Sequence, residues 1–461
     1  MGTISISQEL QALKGNYQHD LDWEQECYQK HCANARQDAV QRLTVLEERL
    51  FQQRPSSWKV EGFRSRTIVT RFGEVRVRRR LYRDEQGKYH FLLDEYLRWP
   101  PGQTATPSLQ ESLVELATQK PFRQVSKTLT KLTAGVLSTG TVYLLLEKTA
   151  ERAIGKEREE WRALYERGEL PPSDGRKVTI LFSEGDGTFI HLQREEQKQY
   201  EVKQAIAYER WERLPGKDVR YELIGKRVYC QANEKIPFWE GASLEWSRKW
   251  DLSYPREIII GGDGASWIDK GTGEFAYAIR QLDGFHLARA CGRGWQSGKQ
   301  IYQAIRAGEA ERARLLISNA VPREGVGVQQ ARRYVERNLE KGKDWRDGQM
   351  EGRGLGTMES NEDKLVANRM KKRGLSWTIE GALRMNKAIQ LAANGDIKLF
   401  CERPKPAEAK ETTSLPLIPQ SQKDGQQKWL ETSLPALSGP HAARFWVQKL
   451  RALTNSYYRL N

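Results

Sequence analysis

Cysteine is scarce in this sequence: five residues in 461, at positions 27, 32, 230, 291 and 401, with no C-x-x-C pair among them. An odd, scattered set excludes a disulfide framework, and the missing second ligand pair excludes a zinc ribbon. Cys27, His31 and Cys32 stand close together, and a helix that happens to carry all three explains them without a metal. Long apolar runs are lacking too, so no segment reads as a membrane span, and no secretory leader is expected. These absences point to a soluble cytoplasmic protein with reduced thiols. No internal repeat is present. Acidic residues are the minority charge, with 60 Asp and Glu against 75 Lys and Arg and a formal net charge of +15. A surplus of that size suits a polyanionic partner, nucleic acid above all.

Hydrophobic periodicity divides the chain. Residues 1–57 read as an N-terminal helical region, with Leu43, Leu46 and Leu50 at near-helical spacing. At 58–106 the period changes to that of a small antiparallel β meander, with strands Arg66–Phe72 and Val75–Arg78 around a tight turn and a further strand at Tyr89–Leu93. It carries Arg64, Arg66, Arg71, Arg76, Arg78, Arg79, Arg80 and Arg83. Arginine grips phosphate oxygens with a planar fork, although alternate residues of any solvated strand are polar. Residues 107–175 return to helix, broken near Pro121 and 133–140, in the outline of a helix-turn-helix. Its second helix, beginning Val142-Tyr-Leu-Leu-Leu, is too apolar to read bases and is expected to pack. The segments 176–291 and 356–400 form the expected core, 292–355 a helical insertion, and 401–461 a linker and tail.

Within that core, Lys177–Phe182 and Ile258–Ile260 are β-rich apolar runs of the kind central strands need, with Tyr200–Tyr208, Val228–Ala232 and Phe275–Ile279 as further strands. The first run is expected to give way at Glu184-Gly-Asp-Gly, the second at Gly261-Gly-Asp-Gly. Asp186 and Asp263 thus occupy matching strand ends, and flanking glycines let another group approach each carboxylate. Two carboxylates on neighbouring strands can share a divalent cation, and a third from a helix completes a two-metal site. Glu359 and Glu362 open a helix followed by cations. Singly each signal has a plain account, as an Asp-Gly turn or an acidic helix start. Their order is more specific.

The runs Glu184-Gly-Asp-Gly-Thr188, Gly262-Asp-Gly-Ala-Ser-Trp267, Leu282-Asp-Gly-Phe-His-Leu287 and Glu359…Arg369-Met-Lys-Lys-Arg-Gly-Leu-Ser-Trp377 resemble the ISLre-type insertion-sequence transposases, relatives of the Mutator-like DDE transposases. The similarity runs from the arginine-rich meander to about Gly395. It implies an RNase H-like α/β core, a mixed sheet flanked by helices, with a helical insertion between the second aspartate and the glutamate. The catalytic, metal-holding triad then falls on Asp186, Asp263 and Glu359, because the family's glutamate stands ten residues before an Arg-Met pair, which selects Glu359 over Glu362. His286 also matches, either near the scissile phosphate or as a helix cap. Two Mg²⁺ ions are implied, with Mn²⁺ as a substitute, since an all-carboxylate site suits hard cations. The expected activity is DNA strand cleavage at element ends and strand transfer into target DNA, by a homo-oligomer assembled on DNA. The alternatives are an RNase H-like nuclease or resolvase without strand transfer, and a non-catalytic DNA-binding descendant. Arg76, Arg78 and Arg80 of the meander, with Arg369, Lys371, Lys372 and Arg373 beside the triad, are the candidate DNA contacts.

Overall fold

The computed structural model describes residues 23–133, 137–216, 220–346, 355–358, 363–372 and 374–401. The chain divides into two units, Met1–Arg403 and Pro404–Asn461, and the second lies outside the described residues. So do the expected linker and tail, and Leu10, Leu13 and Leu21 of the N-terminal region.

Helix α1 spans Trp23–Gln53 and lays Leu46 against the meander. There β1 (Lys59–Thr70) and β2 (Gly73–Arg83) pair antiparallel from Thr70↔Gly73 out to Lys59↔Arg83. Val75 and Val77 point inward and Arg76 and Arg78 outward, as the period of two requires. Strand β3 is only Tyr89–His90, because the chain then turns into a short helix, Leu92–Tyr96, that sinks Leu93 completely. The expected strand through Leu93 is therefore half helix: burial of one leucine overrides the β pattern.

Helices α2 (Pro107–Gln119), α3 (Phe122–Leu132) and α4 (Thr139–Arg167) follow with breaks near the anticipated positions. Proline opens α2, and the Ser138 side chain caps α4 by accepting from the Thr141 N–H. Val142, Leu145 and Leu146 are buried, so α4 packs against the core instead of reading bases.

The central sheet contains β4 (Ile180–Leu192), β5 (Gln199–Tyr208), β8 (Arg227–Cys230), β9 (Glu257–Gly262), β10 (Ala278–Leu282) and a short β11 (Ser376–Trp377); a separate hairpin is formed by β6 (Arg210–Arg213) and β7 (Tyr221–Ile224). Its order is β10-β9-β4-β5-β8, with β11 beside β4. Strand β5 runs antiparallel to both β4 and β8, whereas β9 and β10 run parallel to β4. Strand β10 begins three residues later than the apolar pattern predicts, and Phe275 packs into the layer under the sheet instead. One face of the sheet is covered by α2, α4 and α10 (Ile379–Asn394), the other by α5 (Phe238–Ser247) with Trp239, Trp246 and Trp250. This is a mixed sheet flanked by helices.

Between β10 and the return to the sheet lie α6 (Gly284–Gly294), α7 (Gly298–Arg306), α8 (Ala310–Asn319) and α9 (Val328–Asn338). They share a core of their own, including Leu287, Cys291, Trp295, Ile301, Ile305 and Val335. Helices thus occupy the stretch read as a helical insertion, and the first begins at Gly284, ahead of 292.

Candidate active site

Strand β4 does not end at its Gly-Asp-Gly, as the sequence suggests, but runs through it. Ten residues of β5, from Gln199 to Tyr208, pair with it across that stretch, and the ladder outweighs the poor strand propensity of glycine. Asp186 is therefore held in mid-strand. On its other side β4 pairs parallel with β9, ending at Ser183↔Ile260 and Glu184↔Gly261. The same register carried two residues on brings Asp186 level with Asp263, just past the carboxyl end of β9. Crevices outside the carboxyl ends of parallel strands are where open α/β sheets bind ligands.

Both aspartates line one pocket of about 60 Å³, together with Glu184, Asp283, His286, Leu355 and Met358. An ordered water needs only about 10–15 Å³ of such space, so the pocket has room for several waters or ions. Local N–H groups orient each carboxylate: Gly187 donates to Asp186 Oδ1 at 2.7 Å, and Ala265 to Asp263 Oδ1 at 2.9 Å. Gly264, at φ +98°, makes the turn after Asp263 in a region that favours glycine. At Gly261 a Cβ would come within 2.9 Å of Leu355, so this glycine lets the later segment close over the strand.

His286 lies in the first turn of α6. Asp283 caps that helix, accepting from the N–H groups of Phe285 and His286, and the same carboxylate takes the His286 Nδ1. The imidazole pKa is raised, chiefly by this hydrogen bond and further by the negative charges of Asp283, Asp263 and Asp186. Burial alone would raise the Asp283 carboxyl, but the bonds from His286 and Phe285 hold it below the ordinary carboxylate range. The result is an Asp–His pair beside the two aspartates, with the histidine biased towards its charged, donating form. Asp283 was missed as a functional residue, although Asp-Gly-Phe-His is a legible helix start with a capping aspartate.

Glu184 was also missed. Its carboxylate is buried and accepts from the Tyr208 hydroxyl at 2.7 Å, and from the backbone N–H groups of Gly356, Thr357 and Met358 at 3.0–3.1 Å. Burial pushes this carboxyl up, opposed by those same hydrogen bonds. Two residues from Asp186 on the same strand face, Glu184 thereby ties the segment leading to Glu359 onto β4. Glu359 and Glu362 themselves lie outside the described residues. Gln204, the cross-strand partner of Asp186, is fully buried, and neither atom of its amide is hydrogen-bonded among the described residues. Among those residues, too, no three carboxylate, histidine or cysteine groups converge on one metal position.

The profile of the Uncharacterised protein family (UPF0236) matches residues 25–402, which includes α1, the meander, the sheet and the insertion. The chain belongs to this family. It is similar to the "UPF0236 protein in vanSb 3'region" of Streptococcus gallolyticus, with 30% identity over 365 residues, 74% of this chain and 76% of that protein.

Across this UPF0236 chain the candidate DNA contacts separate into two groups. Arg369 is not available to a phosphate: it is 3% exposed, donates to the Ala117 carbonyl at 2.7 Å, and lies against Phe122 and Trp377. Its position next to other cations suggested a surface run, but a π-helical turn, Asp363–Lys371, rotates it into the core. Arg80 is likewise engaged, by Glu47 and Glu48 of α1 and by the Phe51 ring. Arg66 and Arg79 share Asp94, Arg71 holds the start of α2, and Arg83 pairs with Glu61. Most of the meander's arginines therefore build the meander. Arg76 and Arg78 remain exposed, as do Lys371 and Lys372, and Arg373 lies outside the described residues. Among the described residues no helix is long and apolar enough to cross a membrane.

Proposed function

We propose that this chain is a DNA transposase of the DDE type, which cleaves phosphodiester bonds at element ends and joins the freed 3′ end to target DNA. The observation that carries the reading is that Asp186, within β4, and Asp263, just past the end of the adjacent strand β9, line one pocket. The strand order also supports an RNase H-like core: three consecutive antiparallel strands, then two parallel ones on the far side of the first. The run of helices after the second aspartate supports the insertion that the resemblance implies.

The donor set fits hard divalent cations. Asp186 and Asp263 offer only oxygen, and the pocket they line has room for ions. Asp186 and Asp263 would hold the ions, with Glu359 as the third ligand. When bound, a pair of Mg²⁺ ions would activate the attacking oxygen and neutralise charge on the leaving one. The protein's own groups do the rest. The N–H groups of Gly187 and Ala265 hold the two carboxylates in place before DNA arrives, so little reorganisation is needed during reaction. His286, whose imidazole pKa the hydrogen bond to Asp283 raises, would donate to a phosphate oxygen and offset the added negative charge. Glu184 keeps the segment ahead of Glu359 against the strand.

The test is cleavage and joining of labelled duplex DNA carrying the ends that flank the gene. The wild type should nick and join in Mg²⁺, while Asp186→Asn and Asp263→Asn should fall to background with unchanged folding. Cleavage without joining would replace the reading by a nuclease, and full activity of either variant would remove that aspartate from the site.

A further inference from the structure

A second hollow opens directly beside the carboxylate pocket and shares Asp263 and His286 with it. It has a volume of about 380 Å³ and lies between α6 and α9, lined by Arg289, Arg293, Gln330 and Tyr334. His286, Arg289 and Arg293 are three and four residues apart, which sets them along one face of α6. From Gly284 to Gly308 the sequence has no Asp or Glu, although it includes Arg289, Arg293, Lys299 and Arg306. Elsewhere in the insertion, exposed arginines are neutralised by neighbours: Arg312 pairs with Glu309, and Arg314 with Glu311 and Glu340. Arg289 and Arg293 are exposed and make no ion pair among the described residues. The opposite wall, Gln330, Ala331 and Tyr334, is uncharged, and the Tyr334 hydroxyl is buried with no hydrogen-bond partner among the described residues. Two unneutralised guanidiniums and an orphaned hydroxyl line a hollow whose one anionic group is Asp263, at the edge shared with the carboxylate pocket, and an anionic oxygen cluster would satisfy these donors.

We infer that this hollow binds the backbone phosphates of the DNA strand next to the bond being cut, with Arg289 and Arg293 on phosphate oxygens and the Tyr334 hydroxyl as a third donor. This rests on the transposase reading and adds to it a strand path from the carboxylate pocket into the insertion. Because the arginines sit on the same helix as His286, a strand held by them also fixes the phosphate presented to that histidine.

The experiment is fluorescence anisotropy of the full chain with labelled element-end DNA in EDTA across a salt series, so that no cleavage intervenes. Two lost phosphate contacts should reduce the slope of log K against log salt by roughly 1.8 in the Arg289→Gln/Arg293→Gln variant. Wild type should then lose about tenfold more affinity than the variant between about 50 and 200 mM salt. Tyr334→Phe, which keeps the ring, should weaken binding without lowering the melting temperature. An unchanged slope in the double variant, with wild-type cleavage still abolished by Asp263→Asn, overturns the subsite and leaves the transposase reading intact. A changed slope while Asp263→Asn still cleaves supports the cradle and sinks that reading. Inorganic phosphate competing as well as the oligonucleotide at equal phosphate concentration would assign a free-anion site and overturn the proposal.

Discussion

Glu184 and Asp186 stand two residues apart on one strand face with opposite surroundings. Asp186 is half-buried at the pocket, while Glu184 is buried and surrounded by donors. Removing the Glu184 carboxylate leaves three N–H groups and a hydroxyl without an acceptor, and each such buried group costs about 1–3 kcal/mol. Glu184→Ala should therefore lower stability by a few kcal/mol and reduce cleavage, whereas Glu184→Gln, which keeps a neutral acceptor, should restore most of both. Loss of cleavage in the Gln variant at full stability would show instead that the charge acts in the reaction. The two aspartates stand out in the sequence because each is an Asp-Gly that follows an apolar β-rich run. Glu184 was not, because a glutamate inside an apolar strand gives no hint of the distant N–H groups it meets. Arg369 was misread for the converse reason: sequence adjacency to Lys371 and Lys372 says nothing of the π-helical turn that buries it.

Among the elements, α4 and α10 are joined under the sheet by a buried ion pair, Lys387 Nζ to Glu157 Oε1 at 2.9 Å, with both side chains 4% exposed. Lys387→Met strands Glu157 and should cost about 3–5 kcal/mol by chemical denaturation, while the double change with Glu157→Leu should recover most of it. A double variant as unstable as the single one would contradict this. The meander offers a pH test. His90 bridges Asp84 and Glu95, and the hydrogen bond to Asp84 raises its pKa. A raised folded-state pKa gives stability that is fully present below the ordinary histidine value and lost as pH rises through the folded one. The melting-temperature advantage of wild type over His90→Gln should therefore shrink as pH rises above the ordinary histidine value of about 6.5. An advantage independent of pH would mean that the ring acts through its stacking on Trp58. Helices α2 to α4 were readable from apolar spacing, proline and caps. Helix α5 was not, since Phe238-Trp-Glu-Gly-Ala-Ser-Leu-Glu-Trp is apolar nearly all round and buried on almost every side, which erases the helical period.

For the whole molecule, the net charge of +15 takes its meaning from distribution. Many arginines are consumed internally, by Asp94, Glu47 and Glu48 in the meander and by Glu245 and Asp396 under the sheet. Arg76 and Arg78 on the meander, Arg289 and Arg293 on the insertion, and Lys371 at the end of the π-helix are among the cations that stay exposed. Arg76→Ala/Arg78→Ala should weaken duplex binding and flatten its salt dependence, whereas Arg80→Ala should mainly lower stability; equal salt slopes for wild type and the first variant would remove the meander from the interface. The measurement that bears most directly on the central claim is a crystal structure of the full chain soaked in Mn²⁺, read by anomalous scattering. Two peaks roughly 3.5–4 Å apart, each touching Asp186 or Asp263 with a helical glutamate as the remaining ligand, are the predicted result. Strong peaks elsewhere and none between Asp186 and Asp263 would contradict it.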